Sequence, residues 1–142
     1  MSDDLSPILR RALQEAEEDL AGSPHGELSL ARRRRLWEEL GAGMAGYGTL
    51  GHRRRSVLDL LTVEHVKPIW DAAYPGDGAV DEVIDAAREV LDGEQSVEWA
   101  TRLQSRAWVA FLDRMSADQK FSAGDVGQAV CAALSTAAHD KP

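Results

Sequence analysis

The chain has 142 residues, a formal net charge of −8 and 44% hydrophobic side chains. That length suits about one domain with a core of its own, and the apolar content excludes a disordered tail. The negative balance disfavours nucleic acid as a partner for the chain as a whole. Alanine is the commonest residue, valine, isoleucine and threonine are comparatively few, and no segment alternates apolar with polar for long. Helices packed on helices are therefore expected: an all-α bundle of about five to seven helices in a single domain over residues 1–142, with 1–5 and 139–142 frayed. The acid excess sits mainly in the second half, where residues 72–142 hold 12 acids against 6 bases, while residues 1–71 hold 12 against 10.

Ser6 followed by Pro7 marks a helix start, and Gly22 a stop. Between them Ile8, Leu9, Ala12, Leu13, Ala16 and Leu20 keep helical spacing. A second helix is expected from about Leu30 to Leu40 behind a Ser29 cap, ending at Gly41. The uncharged, glycine-rich stretch GAGMAGYGTL then reads as a flexible loop. A third helix is expected over Leu50 to Leu61, with Thr62 capping a further turn to Val66. Pro68 either kinks this helix or starts a new one, because it lacks an N–H and clashes with the preceding turn. The turn from Tyr74 to Gly78 leads to a fourth helix, Ala79 to Asp92, stopped by Gly93. Ser96 caps a fifth, Val97 to Met115, whose apolar residues spread around most of its circumference. That pattern marks the centre of a bundle. Ser122 and Asp125 resemble a capping box for the last helix, Ala123 to about Ala138, with Gly124 and Gly127 weakening its first turns.

Few residues form a catalytic or metal pattern. Cys131 is the only cysteine, set in the apolar run AVCAALSTAA, and reads as a buried, inert thiol. No disulfide can form within the chain, in keeping with a reducing cytoplasm. No apolar run nears the roughly 18 residues of a membrane span, and MSDDLSP lacks the features of a signal peptide. His25, His52, His65 and His139 show no ligand pairing, so no metal or cofactor is expected. A small hydrolase built on His52 or His65 with Asp59, Glu64 or Asp71 is the weaker alternative. The run Arg32, Arg33, Arg34 and Arg35 points in four directions around a helix, and Glu38 and Glu39 are placed to neutralise Arg34 and Arg35.

Arg33 and Arg54 fall among apolar neighbours on their helical wheels, Leu30, Leu36, Trp37 and Leu40 for the first, Leu58 and Leu61 for the second. Both are expected as structural arginines turned toward the core, with Asp59, Glu64 and Asp71 as candidate partners. Trp37, Trp70, Trp99 and Trp108 are expected mostly in the core, Trp70 being able instead to anchor a partner. On the fourth helix Asp81, Glu82, Asp85, Glu89 and Asp92 oppose the apolar Val80, Val83, Ile84, Ala87 and Leu91, with only Arg88 to relieve the repulsion. This acidic face is the candidate partner-binding surface.

Residues 31–93 resemble a family of immunity proteins from bacterial polymorphic-toxin systems, the fifth numbered immunity family. The resemblance lies in His52, Arg53, Arg54, Arg55, Leu58, Leu61, Val66, Pro68, Ile69, Trp70, Pro75, Val90, Leu91 and Gly93. It implies a protein that binds and neutralises a toxin made by the same cell, without catalysis or cofactor. A basic toxin facing the acidic fourth helix is the expected partner. The alternative is a helical regulatory or adaptor protein that pairs with a second copy through apolar helix faces.

Overall fold

The computed structural model describes residues 6–41 and 48–139. They form six α-helices and no strand: α1 (Pro7–Gly22), α2 (Leu30–Gly41), α3 (Leu50–Ala73), α4 (Ala79–Leu91), α5 (Val97–Asp118) and α6 (Phe121–His139). The all-α expectation therefore holds. Most of the loop expected to be flexible, and the expected frayed ends at 1–5 and 140–142, lie outside the described residues, whereas His139 closes α6. The chain groups into two compact units, Met1–Met44 and Ala45–Pro142.

In the first unit the expected caps form, with the Leu9 amide donating to Ser6 Oγ and the Arg32 amide to Ser29 Oγ, both at 3.2 Å. The helices α1 and α2 are joined by charge. Glu15 receives Arg11, Arg32 and Arg35, and Arg32 also reaches Asp19 at 2.7 Å. The Arg11 hydrogen bond, reinforced by Arg32, holds the Glu15 carboxyl below its ordinary range. Arg33, expected inside an apolar stripe, is exposed. The paired arginines are its neighbours, since a wheel orders side chains around an axis without saying where the next helix lies.

The second unit is built around α6. Eleven of its residues are buried, from Ala123 to Ala138, and it packs against α3, α4 and α5. This corrects the expectation that α5 is central. Only Ala100, Leu103 and Phe111 of α5 are buried, while Trp108 is 39% and Val109 57% exposed. The physical reason is side-chain size. The small residues of α6 let three helices approach at once, whereas the large ones of α5 cannot all face inward. Gly124 and Gly127 are contact points of this helix. A Cβ on Gly127 would lie 2.6 Å from Phe111 Cγ, and one on Gly124 would collide with Met115.

Helix α3 runs unbroken through Pro68. Pro68 lies on the exposed side, where solvent can reach the Glu64 carbonyl that loses its amide donor. Thr62 is no cap; its hydroxyl donates to the Leu58 carbonyl at 2.9 Å, within the helix. The N-cap is Thr49, which accepts from the His52 amide.

Each end of α3 is anchored differently. At its start, the Gly48 amide donates to His52 Nδ1 at 3.0 Å. The ring proton therefore sits on Nε2, which donates to the Thr136 carbonyl of α6 at 2.9 Å. Ser56 Oγ donates to the His52 carbonyl at 2.8 Å, and the Thr136 hydroxyl bonds Asp59. Arg55 is buried beside them. At its end, Trp70 is 1% exposed and packs against Tyr74 and Phe111 at centroid separations of 4.6 and 5.1 Å. The Arg114 guanidinium lies over both Trp70 and Tyr74 and pairs with Asp77. Asp77 also accepts from the Ala79 amide, which with Arg114 keeps its carboxyl low.

Gly127→Ala lowers stability by a net ~1–2 kcal/mol, because overpacking against Phe111 outweighs alanine's better helix propensity; a urea midpoint at or above wild type contradicts it. Burial raises the Asp59 carboxyl above its ordinary 3.8, with the Thr136 hydrogen bond opposing. The stability this group contributes is complete below 3.8 and is lost as pH rises through its raised native value. Asp59→Asn is therefore more stable than wild type at pH ~7, with the difference shrinking at low pH; parallel thermal melts across that range test the sign.

Candidate partner-binding face

The five carboxylates singled out on the fourth helix lie along its outer side. Asp81, Glu82, Asp85 and Asp92 are exposed, and Glu89 is half-buried. The inward positions Val80, Val83, Ile84, Ala86, Ala87 and Val90 hold the helix against the core, which fixes where the acids point. Leu91, expected inward, is half-buried.

Arg88 is not their only counterion. Helix α3 supplies two more, Lys67 at 3.3 Å from Asp81 and Arg53 at 3.2 Å from Asp92. Lys67 also holds Asp71 at 2.7 Å, and that bond, with Asp81, keeps its ammonium above the ordinary lysine range. Arg88 pairs with Glu64 across to α3 and lies 3.8 Å from Asp85. All these pairs are partly exposed, so each is worth about 0–1 kcal/mol. Glu82 and Glu89 have no side-chain partner among the described residues. The unneutralised charge therefore concentrates around Glu82, Asp85 and Glu89, narrower than the sequence suggests, because the cations that relieve the ends come from another helix.

A shallow cleft flanks α4 on each side. Between α3 and α4 a cleft of about 260 Å³ has an apolar floor of Val57, Leu60, Leu61 and Leu91, with the Arg53–Asp92 and Arg88–Glu64 pairs at its rim. Between α4 and α5 one of about 250 Å³ is lined by Glu82, Val83, Leu103, Arg106 and Phe111, among others. The carboxylates form a ridge between them.

The remaining candidates separate in space or are occupied. Both ring nitrogens of His52 are used structurally, and His65 is exposed. Asp59 faces Thr136, Glu64 takes Arg88 and Asp71 takes Lys67. Among the described residues no group of three or more His, Cys, Asp or Glu side chains could hold a metal. The Cys131 thiol is buried and pushed up to about 12 by that burial, so it carries little thiolate. Trp70 is interior, which removes it as a surface anchor, while Trp37 and Trp99 are half-buried and Trp108 is exposed. Arg54, expected toward the core, lies half-buried on an outward side of α3 beside the exposed Leu58 and Leu61. The buried arginine is Arg55, one residue on and about 100° round the helix. Among the described residues no helix is long and apolar enough to cross a membrane.

The chain belongs to the immunity protein Imm5 family, whose model matches residues 13–141. That match runs well beyond the resembling segment at 31–93 and takes in α5 and α6. No curated protein matches the sequence.

The ridge acids should be dispensable for folding. Replacing Glu82, Asp85 and Glu89 by their amides changes stability by less than about 0.5 kcal/mol, or raises it by relieving repulsion. Chemical denaturation checks this, and a loss of several kcal/mol would mean that the ridge is structural.

Proposed function

We propose that the chain neutralises a bacterial toxin by binding it one-to-one in the cytoplasm, with the α4 ridge of Asp81, Glu82, Asp85, Glu89 and Asp92 as the contact. The family match supports the toxin-neutralising role. The observation that carries the choice of surface is the local excess of carboxylate at Glu82, Asp85 and Glu89, where Arg88, 3.8 Å from Asp85 and shared with Glu64, is the one cation paired with the three among the described residues. A basic toxin surface would supply further counterions and be steered toward these carboxylates. The match through both compact units supports reading residues 1–142 as one functional domain. The role in this reading is stoichiometric occlusion, with no bond made or broken.

The test partner is any toxin domain found encoded beside this gene. The chain should bind it and protect cells expressing it. With Asp81, Glu82, Asp85 and Glu89 all made neutral, association at low salt should slow by about 10-fold or more, and the salt dependence should flatten. Unchanged kinetics would remove the ridge as the contact, and absence of any binding would remove the toxin reading itself.

A further inference from the structure

Helix α3 carries two apolar sides, and only one of them is buried. Leu60, Val63 and Trp70 face the core, as do His52, Arg55 and Ser56. Leu50, Val57, Leu58, Leu61 and Ile69 lie 41–57% exposed, five large hydrophobic side chains on a single helix. At 3.6 residues per turn these five, with Arg54, His65 and Pro68, fall on one continuous stripe. From Leu50 to Pro68 it is about 27 Å long at 1.5 Å per residue. Isolated exposed leucines need no explanation, but an apolar stripe along a whole helix marks a contact surface.

The stripe is complementary to itself. Two α3 helices laid antiparallel about Asp59 place Val57 against the partner's Leu61, and Leu50 against the partner's Pro68. The same register sets Arg54 opposite the partner's Glu64. Arg54 is half-buried and has no partner among the described residues. Glu64 is held only from one side, by Arg88. In this register Val57 and Leu61 exchange across the midpoint, Leu50 meets Pro68, and Arg54 meets a residue of opposite charge, the self-complementarity that an isologous two-fold contact requires. We propose that this stripe is the interface between two copies of the chain, paired antiparallel through α3 and locked by reciprocal Arg54–Glu64 ion pairs. The acidic α4 ridge is a different set of residues, so the proposal stands independently of the toxin reading.

Sedimentation equilibrium on the full chain across the micromolar range tests it. Wild type should have twice the chain mass. Leu61→Glu should be a monomer with an unchanged circular dichroism spectrum, since Leu61 is already exposed. Arg54→Glu should weaken dimerisation about 10-fold through two like-charge contacts, and Arg54→Glu with Glu64→Arg should bring most of it back. Recovery in the double variant identifies the register, which a merely structural arginine would not produce. A monomeric wild type, or a Leu61→Glu variant that stays dimeric, would overturn the pairing. If wild type is monomeric and Leu61→Glu instead weakens toxin binding, the stripe belongs to the toxin and the pairing is equally overturned.

Discussion

The second unit depends on how closely three helices can approach α6. Its buried side is made of alanine, glycine and small branched residues, with Leu134 the largest. Where α5 comes nearest, glycines leave space for Met115 and Phe111. Lost helix propensity at Gly124 and Gly127 is the local cost of that approach. Phe111 then reaches Trp70 of α3 edge-on, so one side chain links the glycine contact to the aromatic end of the unit.

Once α6 is central, α3 has only one side to give it. That side is unusually polar: His52, Arg55 and Ser56 are buried, Asp59 is half-buried, and Thr136 meets them from α6. Such groups are tolerated because they bond one another and the backbone. The leucines that make α3 look like a core helix are directed elsewhere, and its charged flank is taken by α4 through Lys67, Arg53 and Glu64. Four consecutive residues therefore have four roles: His52 anchors, Arg53 pairs with Asp92, Arg54 joins the outward stripe and Arg55 is buried.

The same arrangement gives the molecule two kinds of surface. The ridge on α4 is electrostatic and suits capture of a cationic protein, where charge governs the rate of encounter more than the final affinity. The stripe on α3 is apolar and suits a contact that excludes water. The two meet at the cleft between α3 and α4, whose floor includes Val57 and Leu61 of the stripe.

Much of the fold was legible in the chain. The helix starts at Ser6, Ser29 and Ser96, the acidic face of α4, the inert Cys131 and the family resemblance all rest on local spacing or cap chemistry, which neighbours do not alter. Locating the core was another matter. A wheel shows that Arg54 lies between Leu58 and Leu61, but a stripe of leucines looks the same whether it faces a helix or solvent. Likewise the bulky residues of α5 suggested a centre that the small residues of α6 occupy, because close approach depends on the volumes of both partners. The counterions of Asp81 and Asp92 were invisible for the same reason, since Lys67 and Arg53 stand 14 and 39 residues away in sequence and meet them only when α3 and α4 pack side by side. The sequence by itself determined which residues form helices and which family they belong to; tertiary packing alone decided which face of each helix is inside.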